Sequence, residues 1–338
     1  MGVGSPNSPS GRRLVKSRVD ARLRSGDLAA TLYSPEMPRV AFLGLGAIGA
    51  PMAAHLARTF PPLSVWNRTA ARASAFATDN SARVAGSPAD AARDSDIVIT
   101  CLPTSQEVES LLDGDAGLFG AMTPGSLLLD CTSGDPATSR RIAGRLAERG
   151  IQFVDAPVSG GTSGATAGTL TVMTGGAADA VERARPVLAA FAGKIVHCGD
   201  VGAGHAVKAV NNALLAVHIW STAEGLAALT ASGVRPDVAL DVINASSGRS
   251  NSSENLFPQR VLTGAFPRTF RLALLDKDAG IAAGVARAAR VPSPLLQLTA
   301  ELFRAAHNEL GEDAYHVEAV RVVERMAGVK IRAAGAHA

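Results

Sequence analysis

The sequence predicts an α/β fold in which a doubly wound parallel sheet is followed by an all-α domain, with a long helix joining the two. Three observations support this prediction. Short apolar runs typical of buried strands alternate with helical patterns through residues 39–201. A glycine-rich turn directly follows the first of these runs. From Gly202 onward the sequence is rich in alanine, has helical periodicity and contains few strand signals.

Composition is typical of a globular protein. The 338 residues are 47% hydrophobic, which is enough for a large core and for two domains. The formal net charge is +3, much of it in the N-terminal segment, so we expect no nucleic-acid partner. The three cysteines lack a C-x-x-C spacing, so we expect no metal site and a reducing, cytoplasmic location. The apolar runs are interpreted as too short to span a membrane.

The folded part is expected to cover residues 39–330. Residues 1–38 are rich in Ser, Arg, Gly and Pro without sustained periodicity, so we predict a disordered leader. This leader is either a transit-like segment or sequence upstream of a true start at Met37. We predict two domains, residues 39–201 and 202–330, and a tail over residues 331–338.

The turn after the first predicted strand carries the clearest functional signal. Its glycines are spaced as G-x-G-x-x-G, and Pro51 falls in the first turn of the helix that follows. In this pattern the first glycine makes a tight turn, the second admits a pyrophosphate, and the third lets helix and strand pack closely. The first domain is therefore expected to be a Rossmann-type dinucleotide-binding domain. The predicted cofactor-binding residues of this turn are Gly44, Leu45, Gly46, Ala47, Ile48 and Gly49.

The second predicted strand ends in a segment that favours NADP over NAD. NAD sites usually place a carboxylate there to bind the ribose 2′-hydroxyl, whereas this chain has Asn67, Arg68 and Thr69. A guanidinium can bind a phosphate through two parallel hydrogen bonds, so Arg68 suits the 2′-phosphate of NADP. The alternative is that Arg68 is a solvated loop residue, in which case the site discriminates poorly and NAD also binds.

Several further strands complete the predicted sheet. Their apolar runs cover residues 96–101, 125–130, 152–157, 171–176 and 194–198. In an open parallel sheet, ligands bind beyond the carboxyl ends of the strands. Leu102, Pro103 and Thr132 lie at such ends and are therefore candidate ligand contacts.

A segment rich in serine and glycine follows the strand at 152–157. Consecutive glycines expose backbone N–H groups, so Gly160 and Gly161, together with the Ser159 hydroxyl, are candidates to hold a small carboxylate. The alternative interpretation is a flexible turn between two strands.

Lys208 and Asn212 are four residues apart, so on a helix they project from the same face, one turn apart. A lysine beside a carboxamide in a cleft is a plausible acid/base pair for a carbonyl or an alcohol. The alternative is a solvated lysine on an amphipathic helix. Scarcity favours the functional interpretation, because arginine supplies most of the positive charge of this chain. The lysines are Lys16, Lys194, Lys208, Lys277 and Lys330.

Four motifs in this order resemble the β-hydroxyacid dehydrogenase family. They are residues 44–49, residues 155–161 (D-A-P-V-S-G-G), residues 204–212, and Lys277-Asp278. The family includes 3-hydroxyisobutyrate dehydrogenase, tartronate semialdehyde reductase and the glyoxylate/succinic semialdehyde reductases. The resemblance covers residues 39–330 and implies an NAD(P)-dependent oxidoreductase, with NADP favoured here, that interconverts a small β-hydroxyacid and its semialdehyde by hydride transfer.

The resemblance also implies roles for individual residues. Lys208 matches the general acid/base of the family. The residues that match the family's substrate-binding residues are Ser159, Gly160, Gly161, Asn212 and Lys277. Leu102, Pro103, Thr132, Phe270 and again Lys277 match residues that lie beside the cofactor. Members of the family commonly form homodimers or homotetramers, so we expect a homo-oligomer. We also expect a small carboxylate-bearing substrate, and neither nucleic acid nor a membrane as a partner.

The identity of the substrate stays open at this stage. Asn251 stands where 3-hydroxyisobutyrate dehydrogenases typically carry Trp, so either the pocket accepts a more polar substrate or Asn251 faces solvent. Two other functions are considered. Imine reductases share the architecture but usually lack the lysine, and a non-catalytic NADP-binding module would not need to retain Lys208, Asn212 and the Ser-Gly-Gly segment.

Overall fold

A largely parallel sheet with helices on both faces occupies the first part of the structure. The computed structural model describes residues 1–2 and 37–333, so almost all of the predicted leader and residues 334–338 of the predicted tail lie outside the described residues. The strands are β1 (Val40–Leu43), β2 (Ser64–Trp66), β3 (Arg83–Val84), β4 (Ile97–Thr100), β5 (Leu127–Asp130), β6 (Gln152–Asp155), β7 (Val158–Ser159), β8 (Leu170–Gly175) and β9 (Ala192–Gly199). The helices between them are α1 (Gly49–Thr59), α2 (Ala70–Asn80), α3 (Pro88–Ala92), α4 (Ser105–Ser110), α5 (Pro136–Ala147), α6 (Gly161–Ala167) and α7 (Ala178–Leu188).

The strand order confirms the predicted doubly wound topology. It runs β3-β2-β1-β4-β5-β6-β8-β7, and β9 pairs with β8. The neighbours from β3 to β6 are parallel, whereas β8 is antiparallel to β6 and to β7. Thr100 of β4 is in register with Asp130 of β5, and Asp130 with Asp155 of β6. Three polar side chains therefore meet at the carboxyl edge of the sheet, where open α/β sheets bind ligands.

Both faces of the sheet are covered by apolar side chains. Phe42 and Ile99 pack with Leu56 of α1 on one face, and Val98 packs with Ile142 of α5 on the other. Strands buried on both faces read as continuous apolar runs in the sequence, which is why these runs were recognisable as strands.

The Ser- and Gly-rich segment after β6 has regular structure rather than the flexible turn of the alternative interpretation. It forms the short strand β7 and then α6, and Ser159 pairs with Thr171 of β8. Gly160 has φ +135° and Gly168 has φ +69° at the two ends of α6, conformations that side-chain-bearing residues rarely adopt. Glycines at both ends therefore allow a helix of seven residues in a segment that composition suggested was irregular.

Helices dominate the rest of the described chain and confirm the predicted all-α part. They are α8 (Ala203–Ala231), α9 (Pro236–Asn244), a π-helix (Ser252–Val261), α10 (Leu272–Ala288), α11 (Pro294–Leu310) and α12 (Val320–Ala327). Trp220 of α8 and Phe303 of α11 lie at the centre of their core, with ring centroids 5.9 Å apart. Ile331 is also fully buried, so this core extends past residue 330.

The long joining helix is α8. It contacts β8 of the sheet and helices α10, α11 and α12 of the helical part. At 29 residues it is long and apolar enough to cross a membrane by length and composition, which corrects the expectation that no apolar run reaches that length. Its contacts with the sheet and with the other helices account for its apolar sequence, because one helix contributes to two cores.

Candidate active site

The glycine-rich turn after β1 has the geometry that a dinucleotide requires. A Cβ on Gly44, which has φ +108°, would lie 2.3 Å from the carbonyl oxygen of Cys101. A Cβ on Gly49 would lie 2.0 Å from the carbonyl oxygen of Gly44, so α1 starts in direct contact with the strand end. A Cβ on Gly46 would have no described heavy atom within 4 Å, which leaves room beside the backbone. The described first turn of α1 has no side-chain cap, so its N–H groups suit a pyrophosphate.

The segment after β2 is held by the side chain of Asn67. Its Oδ1 accepts a 2.9 Å hydrogen bond from the Leu45 amide, and its Nδ2 donates a 3.0 Å bond to the carbonyl of Thr69. Arg68 points outward with its side chain 82% exposed, and its Nη1 lies 3.2 Å from Oε1 of Glu107 on α4. The Asn67 amide therefore fastens the glycine-rich turn, while Arg68 takes part in an ion pair.

Thr132, expected to lie beside the cofactor, is buried in the structure. Its Oγ1 accepts a 3.1 Å hydrogen bond from the Leu102 amide, and its own amide donates a 3.0 Å bond to Asp130 Oδ1. Through these bonds the hydroxyl of Thr132 positions the end of β4 rather than facing the cleft.

A lysine from the helical part reaches the ends of two strands. Lys277 of α10 donates a 3.1 Å hydrogen bond from Nζ to the carbonyl of Pro103 and a second, short bond to the carbonyl of Ser133. Its Nζ also lies 3.2 Å from Oδ1 of Asp278. The contacts of Lys277 fasten α10 to the carboxyl edge of the sheet.

The N-terminus of α8 is anchored on the same edge by buried polar groups. Asp155 accepts hydrogen bonds from the amides of Gly202 (2.6 Å, Oδ1) and His205 (2.9 Å, Oδ2). Burial raises the pKa of Asp155, although His205 and these amide bonds oppose the shift. The His205 ring donates from Nε2 to the carbonyl of Thr132 at 2.8 Å, and its Nδ1 lies 2.7 Å from Ser139 Oγ. Three elements therefore fix the direction in which α8 leaves the sheet.

Lys208 lies one turn beyond this anchor and is only 8% exposed. Burial lowers the pKa of Lys208 below its ordinary value of 10.5; the Asp278 carboxylate opposes this shift, and the Lys277 charge adds to it. Asn212 projects from the same face, as predicted, and its Nδ2 donates a 2.6 Å hydrogen bond to Oδ2 of Asp278. The structure thus assembles Lys208, Asn212 and Lys277 around the carboxylate of Asp278. A buried lysine whose pKa is lowered in this way can take up or release a proton during a reaction.

The predicted carboxylate-binding segment and α8, which carries Lys208, both adjoin β8. Ser159 is partly buried in β7, and Gly160 and Gly161 are exposed where α6 begins. Both β7 and the first turns of α8 contact β8. The described N-terminus of α6 has no side-chain cap, so its first N–H groups are available to an anion.

Two further residues considered in the sequence lie in other surroundings. Phe270 borders the helical core, and its ring centroid is 5.4 Å from that of His316. Burial lowers the pKa of His316 to about 4. Asn251 is exposed, and its Oδ1 accepts a 2.9 Å hydrogen bond from Asn255. The contacts found for Phe270 and Asn251 are thus with the helical part itself.

A cavity of about 360 Å³ opens beside Lys277. It lies between the first turn of α4, the segment that precedes α5, and helices α10 and α11, and Ser133 and Arg304 contribute to its wall. Among the described residues that line this cavity, Lys277 is the one that was predicted to bind substrate.

Sequence reasoning missed several polar residues of this region. Asp278 was recognised as a motif neighbour of Lys277, but its bond to Asn212 was not foreseen. Asp155 is the first residue of the D-A-P-V-S-G-G motif, and membership of that motif was the sequence signal that could have identified it. Glu107 has a local signal as the last residue of a T-x-x-E capping box, but its pairing with Arg68 has none, and neither has the bond of Ser139 to His205, because these partners are distant in sequence.

The uncapped helix start, the open face at Gly46 and the buried lysine at the sheet edge suit a nicotinamide dinucleotide and a small substrate. Comparison with known proteins decides the family. Residues 39–199 match the family described as the NAD binding domain of 6-phosphogluconate dehydrogenase, and residues 202–323 match the family described as NAD-binding of NADP-dependent 3-hydroxyisobutyrate dehydrogenase. The NAD-dependent L-serine dehydrogenase of Pseudomonas aeruginosa is 39% identical over 79% of this chain and 92% of its own length. The chain belongs to the β-hydroxyacid dehydrogenase family.

Other members of the β-hydroxyacid dehydrogenase family agree in sequence and in structure. The 2-(hydroxymethyl)glutarate dehydrogenase of Eubacterium barkeri is 35% identical over 87% of this chain and 97% of its own length. The structure of Mycobacterium tuberculosis 3-hydroxyisobutyrate dehydrogenase with L-serine superposes with a TM-score of 0.78 at 31% identity, covering 85% of this chain and 99% of that one. This chain is therefore an NAD(P)-binding oxidoreductase of the hydroxyacid type.

Proposed function

We propose that this chain oxidises a small β-hydroxyacid to its semialdehyde, or catalyses the reverse reduction, with Lys208 as the general acid/base. The observation that carries the proposal is the environment of Lys208. Its ammonium is buried, burial lowers its pKa, and the carboxylate of Asp278 keeps the charged form accessible. A group that moves a proton in both directions needs its two protonation states close in free energy.

Each residue of the cluster has a role in this proposal. Nicotinamide, when bound, supplies the hydride acceptor or donor. In the oxidation, the neutral amine of Lys208 takes the proton from the substrate hydroxyl as the hydride leaves the carbon; in the reduction, the ammonium returns that proton to the carbonyl oxygen. Asn212 orients the substrate from the same helix face. Ser159 and the amides of Gly160 and Gly161 bind the substrate carboxylate.

The substrates named for the relatives suggest a common core. L-Serine, 3-hydroxyisobutyrate and 2-(hydroxymethyl)glutarate each carry a primary hydroxymethyl group on the carbon next to a carboxylate. They differ in the other substituent of that carbon, which is an ammonium, a methyl or a carboxyethyl group. We propose that the substrate here has the same hydroxymethyl–carboxylate core.

The cofactor part of the proposal favours NADP over NAD. We assign cofactor binding to residues 39–201 and the helical substrate-facing domain to residues 202–330. Arg68 is exposed at the end of β2, where a guanidinium would meet a 2′-phosphate. Leu102 and Pro103 lie at the end of β4, beside the expected path of the nicotinamide ribose.

The test is a steady-state rate screen of the full chain. NADP⁺ and NAD⁺ are tried with 3-hydroxyisobutyrate, L-serine and 2-(hydroxymethyl)glutarate, and NADPH and NADH with the corresponding semialdehydes, glyoxylate, succinic semialdehyde and tartronate semialdehyde. Lys208→Met should lower kcat by about 10²–10⁴-fold and leave the Kd for NADPH unchanged. Lys194→Met, which removes an exposed lysine of β9, is the matched control and should retain full activity.

Three results would count against the proposal, the third from adding cyclic imines to the NADPH screen. Retention of the rate in Lys208→Met would remove the acid/base role. Binding of NADPH without turnover of any substrate in the screen would favour the non-catalytic module considered from the sequence. Reduction of cyclic imines in place of aldehydes would favour imine reductase activity, although the lysine at position 208 argues against that alternative.

We also propose that the enzyme is a cytoplasmic homo-oligomer. Several large apolar side chains are exposed on the helical part: Val207, Leu214, Val238, Val242, Leu295 and Leu298. Contact with a second copy would remove apolar side chains such as these from water, and light scattering coupled to size exclusion would measure the dimer or tetramer directly. The free thiols of Cys101, Cys131 and Cys198 suit a reducing compartment.

A further inference from the structure

The guanidinium assigned to the 2′-phosphate of NADP is already engaged by a carboxylate. Arg68 Nη1 lies 3.2 Å from Oε1 of Glu107, which belongs to the first turn of α4. The Arg68 side chain is 82% exposed and that of Glu107 is 32% exposed. The arginine is therefore well hydrated and able to change rotamer, whereas the glutamate is the more constrained partner.

This ion pair joins segments that follow the two strands on either side of β1. Arg68 follows β2 and α4 follows β4, and β1 lies between these two strands in the sheet. A contact between Arg68 and Glu107 consequently passes across the carboxyl end of β1, where the glycine-rich turn begins. A dinucleotide bound in the Rossmann manner places its adenosine ribose at the end of β2, so the ribose meets both members of the pair.

The carboxylate of Glu107 is fixed by the start of its own helix. Its Oε2 accepts a 3.2 Å hydrogen bond from the amide of Thr104, and the amide of Glu107 donates a 3.2 Å bond to Thr104 Oγ1. This reciprocal arrangement is a capping box. Because Oε2 is held by Thr104, Oε1 stays directed at Arg68, and the negative charge does not move away when a ligand arrives.

We propose that Glu107 is a specificity-determining residue that competes with the 2′-phosphate of NADP for Arg68. This proposal rests on the assignment of Arg68 given above. A 2′-phosphate that takes two hydrogen bonds from Arg68 has to displace Glu107 or share the guanidinium with it, since Nη1 of Arg68 is paired with Oε1 of Glu107. The neutral 2′-hydroxyl of NAD leaves the ion pair intact. Glu107 therefore weakens the preference for NADP that Arg68 alone would confer and brings the two cofactors closer in affinity.

The decisive variant is Glu107→Gln. Glutamine is also accepted at this position of a capping box, so the start of α4 is retained while the charge is removed. The Kd values of NADPH, NADH, adenosine 2′,5′-bisphosphate and 5′-AMP are measured by fluorescence and calorimetry on the full chain without substrate. We expect binding of NADPH and the bisphosphate to tighten by about two- to fivefold, the range of an exposed ion pair, and binding of NADH and 5′-AMP to stay the same.

A matched control and a double variant complete the experiment. Glu109→Gln removes the same charge from the same helix, but Glu109 pairs with Arg141 and Arg145, so the ratio of NADPH to NADH affinity should not change. In an Arg68→Ala background, Glu107→Gln should have no effect on NADPH binding, because Glu107 acts through Arg68.

The outcomes separate this proposal from the one on which it rests. An unchanged NADPH to NADH ratio in Glu107→Gln, or a gain that persists in the Arg68→Ala background, overturns the role of Glu107 while leaving the proposed reaction intact. If Arg68→Ala alone does not weaken NADPH binding, the assignment of Arg68 fails and the role of Glu107 fails with it. None of these measurements depends on turnover, so the choice of hydroxyacid does not affect them.

Discussion

Nδ2 of Asn212 donates a 2.6 Å hydrogen bond to Oδ2 of Asp278, and this bond joins α8 to α10. The other oxygen of Asp278 lies 3.2 Å from Nζ of Lys277. The buried carboxylate of Asp278 also raises the pKa of Lys208, so it interacts electrostatically with both Lys208 and Lys277. Asp278 is a positioning residue in this arrangement, because it orients the amide of Asn212 and stabilises the charged form of Lys208.

The pH dependence of the reaction should follow the protonation of Lys208. Oxidation of the hydroxyacid requires the neutral amine, so kcat/KM for oxidation should rise with pH and level off above the pKa of Lys208. Since burial lowers the pKa of Lys208 below 10.5, the inflection should lie below that value. In the reduction direction kcat/KM should fall over the same range, because the ammonium is the proton donor. A pH–rate profile without this inflection would exclude Lys208 as the titrating group.

Asp278→Asn should move this inflection to lower pH. The carboxylate raises the pKa of Lys208 against the effect of burial, and an amide of the same shape removes that support. The measurement is the pH profile of kcat/KM for oxidation in the variant. Asp276→Asn is the matched control on α10, because Asp276 contacts His307 at 3.0 Å and lies outside the cluster. An identical inflection in Asp278→Asn and wild type would contradict the electrostatic role of Asp278.

Lys208→Met should stabilise the fold at neutral pH while it removes activity. Lys208 has a lower pKa in the folded state than in the unfolded state, so the unfolded chain binds more protons between these two values. The stability of the wild type consequently rises with pH across that window. The variant should gain about 1 kcal/mol in the free energy of unfolding at pH 7, and the gain should shrink as the pH approaches 10.5.

Urea denaturation at several pH values measures this difference. Lys194→Met is again the control, since an exposed lysine should change stability by less than about 0.5 kcal/mol at any pH. A destabilised Lys208→Met would mean that the electrostatic attraction between Lys208 and Asp278 outweighs the cost of burying the lysine charge.

Two glycines of α8 should respond in opposite directions to alanine. A Cβ on Gly204 would lie 2.2 Å from the carbonyl oxygen of Met173 and 2.8 Å from Asp155 Oδ2. Gly204→Ala should therefore destabilise the fold by about 1–3 kcal/mol and shift Lys208 away from the sheet edge. Gly225 has no described heavy atom within 4 Å of such a Cβ, and Gly225→Ala should stabilise the fold by about 0.5–1 kcal/mol.

The midpoint of urea unfolding reports both effects. Since Gly204→Ala acts at the contact between α8 and β8, its kcat should fall as well, while Gly225→Ala should keep the wild-type kcat. Equal stabilities of the two variants would mean that the approach of α8 to β8 is looser than the structure describes.

Much of the fold followed from local sequence patterns. The run at residues 39–43, the spacing of Gly44, Gly46 and Gly49, and the following helix are short-range features, because strand, turn and helix start are each decided within a few residues. Elements with weak local signals were not foreseen: β3 has two residues, and α6 has seven in a glycine-rich segment. Here tertiary contacts with the neighbouring strands compensate for poor intrinsic preference.

The sequence by itself determined the dinucleotide turn and the common face of Lys208 and Asn212, since a helical period of 3.6 residues places positions four apart side by side. The tertiary structure alone decided which partners the functional side chains have and how burial shifts their pKa values. Asn212 meets Asp278 across 66 residues, and Arg68 meets Glu107 across 39. Burial and electrostatic pairing depend on which elements pack together, so the lowered pKa of Lys208 and the carboxylate beside Arg68 arise only when the helices close on the sheet.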